Sequence, residues 1–259
     1  METPDFWIGR MQDPDKTVLS AEEIARFNDS ITRRGSTVDV AGLENIDGAR
    51  LRSEISAPLK TLSGSKLYFS DSTPVTRGFW SRLQALMALR SIPEKVRVRH
   101  AFVALRAEQR ALPSDAVVTV KPGDIDFDEM QNSSLDIWTP VAVAHESADG
   151  KWVYANGVSS SGWLKKSNIA FCGREQMTAM LKRPFAVVTA PKAAVHGERV
   201  RMGVVLPLSG RPAPEGAFTG ILFPVRDSRG GLRESEGSLP RESVSVGFLP
   251  YTQRTILVQ

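Results

Sequence analysis

Residues 127–172 read FDEMQNSSLDIWTPVAVAHESADGKWVYANGVSSSGWLKKSNIAFC. Together with AVVTV just upstream, this stretch is a series of short β-type runs separated by turn residues: TPVAVAHE, DGKWVYAN and SGWLKKSNIAF, rich in Val, Ile and aromatic side chains. The Asp149-Gly150 pair is a hairpin signal, because both residues tolerate the positive φ of a tight turn. Trp152 and Tyr154 fall on one face of a strand and Val153 on the other, and Gly162-Trp163-Leu164 opens the next strand. Such spacing, from about Asp115 to Cys172, predicts a five-stranded small barrel.

On the C-terminal side, a short amphipathic segment, Arg174 to Leu181, leads to a second set of runs. These are FAVVTA, RVRMGVVLPL, TGILFPV and VSVGFLPY, divided by Pro- and Gly-rich loops. They predict a second small barrel of similar architecture without close sequence repetition. Thr252 is placed as an N-cap, with Ile256 and Leu257 starting an apolar face. A helix this short has no stability of its own, so the coding sequence is expected to run on past Gln259.

On the N-terminal side the pattern is helical. In SAEEIARFNDSITRRG (20–35), Ser20 and Glu23 form a capping box, Ile24, Phe27 and Ile31 an apolar face, and Gly35 the end. The preceding Phe6, Trp7 and Ile8 read as a docking arm. A second helix is expected over about Ala49 to Leu59. A third starts at Thr73-Pro74 and buries Phe79, Leu83, Leu86 and Met87. After Pro93, Val96 and Val98 alternate with Arg97 and Arg99, and the strand continues through AFVALR.

At 259 residues, 41% hydrophobic and 24% charged, the chain is globular and long enough for two or three small domains. No window has the roughly 18 apolar residues of a membrane helix, and the first residues lack a signal-peptide layout. The net charge of +4 favours acidic partners such as nucleic acid, anionic lipid or anionic wall polymers. The basic residues, however, lack the interleaved aromatics of a single-strand nucleic-acid binder. Cys172 is the only cysteine, which excludes an internal disulfide and a four-cysteine zinc site.

Several constellations have bland readings. Asp124, Asp126, Asp128 and Glu129 resemble a calcium loop, but Glu129 stands where the loop needs glycine and Leu135 where it needs glutamate. Cys172 ends a buried strand, IAFC, and reads as core. His100, His145 and His196 have no metal-pair spacing, so no metal or cofactor is expected. Trp138, Trp152, Tyr154 and Trp163 crowd one module. They suit either a stacking platform for a peptide or sugar or a core; for Trp152 and Trp163 the core is the simpler reading, and for Trp138 both stay open.

Residues 127–172 resemble the first SH3-like domain of NlpC-type cell-wall cysteine peptidases, through Phe127, Asp128, Gln131, Ser147, Asp149, Trp152, Val153, Gly162, Trp163, Ile169 and Ala170. FWIGRMQDPDKTVLSAEEIARFN resembles the stabilising segment of multi-domain members, and RHAFVALRAEQRALPSD the strand and Arg-x-Leu-Pro turn entering the first barrel. FTGILFPVRDSRGGL through VGFLPYT is similar to the second SH3-like domain, and TQRTILVQ to the first turns of the catalytic domain.

The resemblance implies an α+β multi-domain chain with a helical N-terminal region (1–114), two SH3-like barrels (115–175 and 176–251) and the start of a truncated catalytic domain (252–259). That family's cysteine and histidine cleave the γ-D-glutamyl-diamino acid bond of peptidoglycan stem peptides. No residue here inherits a catalytic role. The implied function is targeting and substrate specificity in the periplasm or cell envelope, with the stem peptide and an intramolecular catalytic domain as partners. The alternative is a stand-alone binding module for wall peptides or a protein partner. Recognition of a peptide's ammonium group needs a carboxylate or an aromatic face, and Asp136, Trp138, Tyr154 and Trp163 are the candidates.

Overall fold

A computed structural model describes residues 3–124, 126–191, 193–195, 197–210 and 217–258, with residues 257 and 258 described by backbone alone. His196, the Leu257 side chain and Gln259 lie outside the described residues. The helices are α1 (Pro4–Ile8), α2 (Ala21–Arg33), α3 (Gly48–Ser63), α4 (Arg77–Leu86), α5 (Arg174–Leu181) and α6 (Gln253–Val258). The strands up to the barrel's end are β1 (Asn45–Asp47), β2 (Tyr68–Phe69), β3 (Lys95–Arg97), β4 (Arg99–Val103), β5 (Ala107–Arg110), β6 (Val118–Thr119), β7 (Gln131–Leu135), β8 (Pro140–Glu146), β9 (Trp152–Asn156), β10 (Ser161–Lys165) and β11 (Ile169–Phe171). Then follow β12 (Phe185–Val188), β13 (Ala193–Val195), β14 (Glu198–Val200), β15 (Val205–Pro207), β16 (Phe218–Arg226), β17 (Leu232–Pro240) and β18 (Val244–Val246). The chain divides into two units, one of Met1–Thr37, Arg183–Leu222 and Glu236–Gln259, the other of Val38–Lys182 and Phe223–Ser235.

The larger unit is built on an antiparallel sheet in the order β11-β4-β8-β9-β10-β5-β7. Ala101, Val103, Ala107, Leu135, Val141, Val143, Val153, Ala155, Leu164 and Ile169, from all seven strands, meet in one buried cluster, so the sheet curls around an interior of small and branched side chains. Two of its strands, β4 and β5, lie upstream of Asp115, where the sequence reading started the barrel. The run RHAFVALRAEQR supplies them, and β4 lies between β11 and β8. Gly162 allows β10 to press against β5, since a Cβ there would stand 2.7 Å from the Arg110 carbonyl oxygen.

The outer face of this sheet is covered by helices. Leu51, Ile55 and Leu62 of α3 and Phe79, Trp80 and Leu83 of α4 share a second cluster with Met87, Leu112, Met130, Trp152, Tyr154 and Trp163. The alternation of Trp152 and Tyr154 with Val153 is as the sequence predicts. The aromatics, however, fill the layer between helices and sheet, and the barrel interior holds Val153 and Ala155 instead. The Asp47 carboxylate caps α3 by accepting from the Arg50 amide at 2.7 Å. At Gly48 a Cβ would collide with the Pro93 carbonyl at 1.8 Å, and its N–H donates to Glu94 at 2.7 Å.

The helix expected from Thr73 begins three residues later. Phe69 and Val75 amides donate to the carbonyls of Thr73 and Leu67, holding 73–75 extended, and the Thr73 amide and hydroxyl are taken by Asp71. Thr76 caps α4 through the Phe79 amide.

In the other unit, α2 has the expected capping box, with Ser20 and Glu23 bonded reciprocally. It ends in a Schellman arrangement, the Gly35 amide donating to Thr32 and the Ser36 amide to Ile31. Its apolar face is only partly covered, with Ile24 and Ile31 half-buried and Phe27 61% exposed. Thr252 caps α6 through the Thr255 amide, and Arg254 clasps Asp15 with two bonds of 2.6 and 2.9 Å. The later β runs form strands as expected, but among the described residues they divide into a β15-β12-β18 sheet and the pairs β13-β14 and β16-β17. Pro207 and Pro240 end their strands and Pro224 lies within β16, each removing a ladder donor. Val188, Leu206, Ile221 and Leu239 form the buried part of this unit.

One polar device ties the barrel together. The Arg110 guanidinium, on a residue only 4% exposed, donates to Asp128 Oδ2 (2.6 Å), Gln131 Oε1 (2.7 Å), and the carbonyls of Ser114 (3.1 Å) and Ala116 (2.7 Å). Asp128 Oδ1 in turn accepts from the Val118 and Met130 amides, so the acidic run is a structural clasp. Arg110→Ala leaves a carboxylate mostly buried without its cation, and a loss of about 3–5 kcal/mol is expected in urea denaturation. A loss below about 1 kcal/mol, the range of an exposed pair, would contradict this role.

Candidate functional site

The four residues singled out in the sequence occupy two places. Asp136 and Trp138 sit on the turn between β7 and β8. The Thr139 amide donates to the Asp136 carbonyl at 3.2 Å and the Trp138 amide to Val103 at 2.9 Å. Trp138 holds φ at 63°, a costly conformation for a bulky residue that tertiary contacts must impose. Its ring is 5% exposed and meets Phe102 edge to face at 5.2 Å. The Asp136 carboxylate is one-third exposed and lies 3.7 Å from the Arg106 guanidinium, which also faces Glu108 at 3.5 Å and donates to the Ser134 hydroxyl at 2.7 Å.

Tyr154 and Trp163 are directly opposite one another on β9 and β10, with rings 5.7 Å apart in an edge arrangement. Trp163 is fully buried and Tyr154 is 5% exposed. The Tyr154 hydroxyl donates to Ser161 at 3.1 Å, and burial holds its pKa above the usual phenol value. The His145 ring stands 6.0 Å from Trp163 and its Nε2 donates to the Met87 carbonyl at 2.8 Å, just beyond α4. Burial pushes the His145 pKa down. As placed, Tyr154 and Trp163 offer no face to a ligand, because the helical layer covers them. Of the four candidates, Trp138, Tyr154 and Trp163 are buried, and Asp136 presents a partly accessible carboxylate.

Cys172 stands at the end of β11 with its amide bonded to the His100 carbonyl at 2.9 Å. Burial pushes its thiol up to about 12, so at neutral pH almost none of the nucleophilic thiolate exists. Among the described residues no cluster of ligating side chains could hold a metal ion.

Two basic clefts escaped the sequence reading. One, of about 620 Å³, is lined by Lys151, Trp152, Lys165, Lys166, Arg226 and Asp115. Lys165 pairs with Asp115 at 2.9 Å and lies over the Trp152 ring, and Lys166 pairs with Glu146. The other, of about 720 Å³, brings Arg97, Arg99 and Arg174 to the edge of β11. The Lys165-Lys166 doublet and the Arg97/Arg99 alternation were the available signals. Their convergence depends on segments distant in sequence.

Residues 120–165 match the SH3 domain family of the SH3b1 type. The chain contains an SH3b-type domain. Its fold is similar along its whole length to an NlpC/P60 endopeptidase from Photobacterium damselae subsp. piscicida, at 17% identity and a TM-score of 0.77, and it covers 60% of that chain. An NlpC/P60 family protein from Bacillus cereus ATCC 10987 is matched over 56% of this chain and 55% of its own, at 13% identity and a TM-score of 0.41. No curated protein matches the sequence. Among the described residues no helix is long and apolar enough to cross a membrane.

The half-buried, neutral His145 in this domain sets a pH dependence. Its folded pKa lies below the unfolded value of about 6.5, so below that pH the unfolded chain binds more protons and the folded state loses stability as pH falls. In His145→Gln, whose amide can still donate to Met87, the drop in urea midpoint between pH 7.5 and 5.5 is expected to be smaller than in the native chain. An equal drop in both proteins would rule His145 out as the source.

Proposed function

We propose that this chain is the non-catalytic targeting and substrate-specificity region of a peptidoglycan stem-peptide endopeptidase acting in the periplasm or cell envelope. The observation that carries the reading is the SH3b1-type domain within a chain whose whole length follows the fold of 60% of an NlpC/P60 endopeptidase. In this reading residues 1–114 are the stabilising region, 115–175 with the upstream strands β4 and β5 the first SH3-like barrel, 176–251 the second, and 252–259 the first turn of a cysteine peptidase domain that supplies the chemistry. Asp136 is the carboxylate that meets the ammonium end of a trimmed stem peptide, and the buried Trp138 fixes the turn that presents it. Tyr154 and Trp163 act through packing.

The alternative, a stand-alone module for wall peptides or a protein partner, is favoured by the basic cleft of Lys151, Lys165, Lys166 and Arg226. The first reading and the wall-peptide version of the alternative both require the chain to bind peptidoglycan or a wall peptide; the protein-partner version does not.

Co-sedimentation of the chain with purified sacculi in about 0.5 M salt, which shortens the Debye length to a few ångström, separates specific retention from the pull of a basic chain. Retention is expected in that salt, with Asp136→Asn weakening competition by an L-Ala-γ-D-Glu peptide several-fold. Loss of all retention at high salt would overturn the wall-binding function.

A further inference from the structure

The cleft at the edge of β11 has features of a ligand site that the proposed function does not use. Pairing of β1 with β3 sets Asn45 opposite Arg97, and the Val98 amide donates to the Glu44 carbonyl at 3.0 Å. Val98 is buried while Arg97 and Arg99 on either side of it are exposed, and both line the same cavity of about 720 Å³, within the range of small-molecule sites. Arg174 enters from the start of α5, where its Nε donates to the Ala41 carbonyl at 3.0 Å and a terminal nitrogen is paired with Glu44.

Charge in the cleft is one-sided. Three guanidinium groups face a single carboxylate, Glu44, and Arg174 already holds it. The Arg99 guanidinium is stacked 3.7 Å over the Phe171 ring. That contact fixes the plane of the fork and leaves its N–H edges open, the geometry that suits bidentate binding of an oxyanion. Among the described residues neither Arg97 nor Arg99 has a carboxylate or carbonyl partner.

A second observation is independent of the arginines. His100 lines the same cleft, is 8% exposed, and among the described residues its Nε2 has no hydrogen-bond partner. Buried polar groups are almost always satisfied, so the unmet imidazole nitrogen in the wall of this cavity, itself sealed from solvent, is a polar group that a ligand engages once the ring turns toward it.

We infer that the cleft walled by Arg97, Arg99, Arg174 and His100 binds a small oxyanion ligand, a phosphate- or carboxylate-bearing molecule whose oxygens bridge Arg97 and Arg99. The bound anion sits against the Phe171-Arg99 stack, and binding involves no covalent step. This site stands apart from wall binding and does not depend on it.

Titration of the ¹⁵N-labelled full chain with sodium pyrophosphate, and separately with citrate, at constant ionic strength tests the assignment. Saturable shifts are expected in the amides of Arg97, Arg99, His100, Cys172 and Arg174 and in the imidazole of His100. Arg97→Gln/Arg99→Gln should weaken binding about tenfold or more, the value of one charge-assisted hydrogen bond, while Lys165→Gln/Lys166→Gln in the other cleft leaves the titration unchanged. The single Arg97→Gln variant, which spares the Phe171 stack, should show a smaller loss in the same direction. Saturation by pyrophosphate alone assigns a phosphate-bearing ligand, by citrate alone a carboxylate-bearing one, and by both a general oxyanion site. Failure of both probes to saturate, or binding by the double variant equal to the native chain, overturns the inference.

Discussion

The guanidinium of Arg110 is the constraint on which the larger unit depends. It gathers the Ser114 and Ala116 carbonyls, Asp128 and Gln131 around one almost fully buried cation, joining β5 to the loop that follows it and to the start of β7. A charge taken out of water is tolerated only when its hydrogen bonds are nearly all met, and this geometry meets them. The Arg110 backbone pairs with Trp163 in the ladder, at the place where Gly162 lets the strands approach. Trp163 then faces Tyr154 and His145, and His145 reaches the Met87 carbonyl beyond α4. The clasp, the sheet register and the helical cover are thus successive steps of one chain of contacts.

That chain of contacts decides which faces remain for function. A barrel with Trp152, Tyr154 and Trp163 on its outer surface would expose a large aromatic patch if it stood alone. Here α3, α4 and their neighbours occupy that face, and the interior is left to Ala, Val, Leu and Ile. The accessible charged groups are Asp136 beside Arg106 on one turn, and the lysine- and arginine-lined clefts elsewhere. In the proposed function, recognition by this unit is electrostatic and directional, with aromatic groups serving to hold the frame.

Much of this was legible in the sequence where local rules govern. The capping box of α2, the span of α5, the β runs and the two faces of β9 follow from spacing alone. The cap of α4 moved from Thr73 to Thr76 because Asp71 and the Leu67–Phe69 backbone claim the earlier residues, a competition that spacing does not reveal. The Asp149-Gly150 turn was visible, yet its form is set by Ser147, whose hydroxyl donates to Asp149 at 2.6 Å and accepts from the Trp152 amide at 3.0 Å. The destination of the aromatic face was not legible, since it depends on helices some 60 to 100 residues upstream. The arginine cleft was hidden for the same reason: Arg97 and Arg99 announced a strand, and only the fold brings Arg174 and Phe171 to them.

Native-state hydrogen exchange of the full chain tests the central claim, that the helical layer and the barrel form one cooperative body through the buried aromatics. The account predicts that the slowest amides of α3 and those of β9 and β10 open with the same free energy and respond alike to denaturant. Exchange of α3 at a much lower free energy, with β9 and β10 still protected, would contradict it and leave the barrel an independent domain with its aromatic face free to bind.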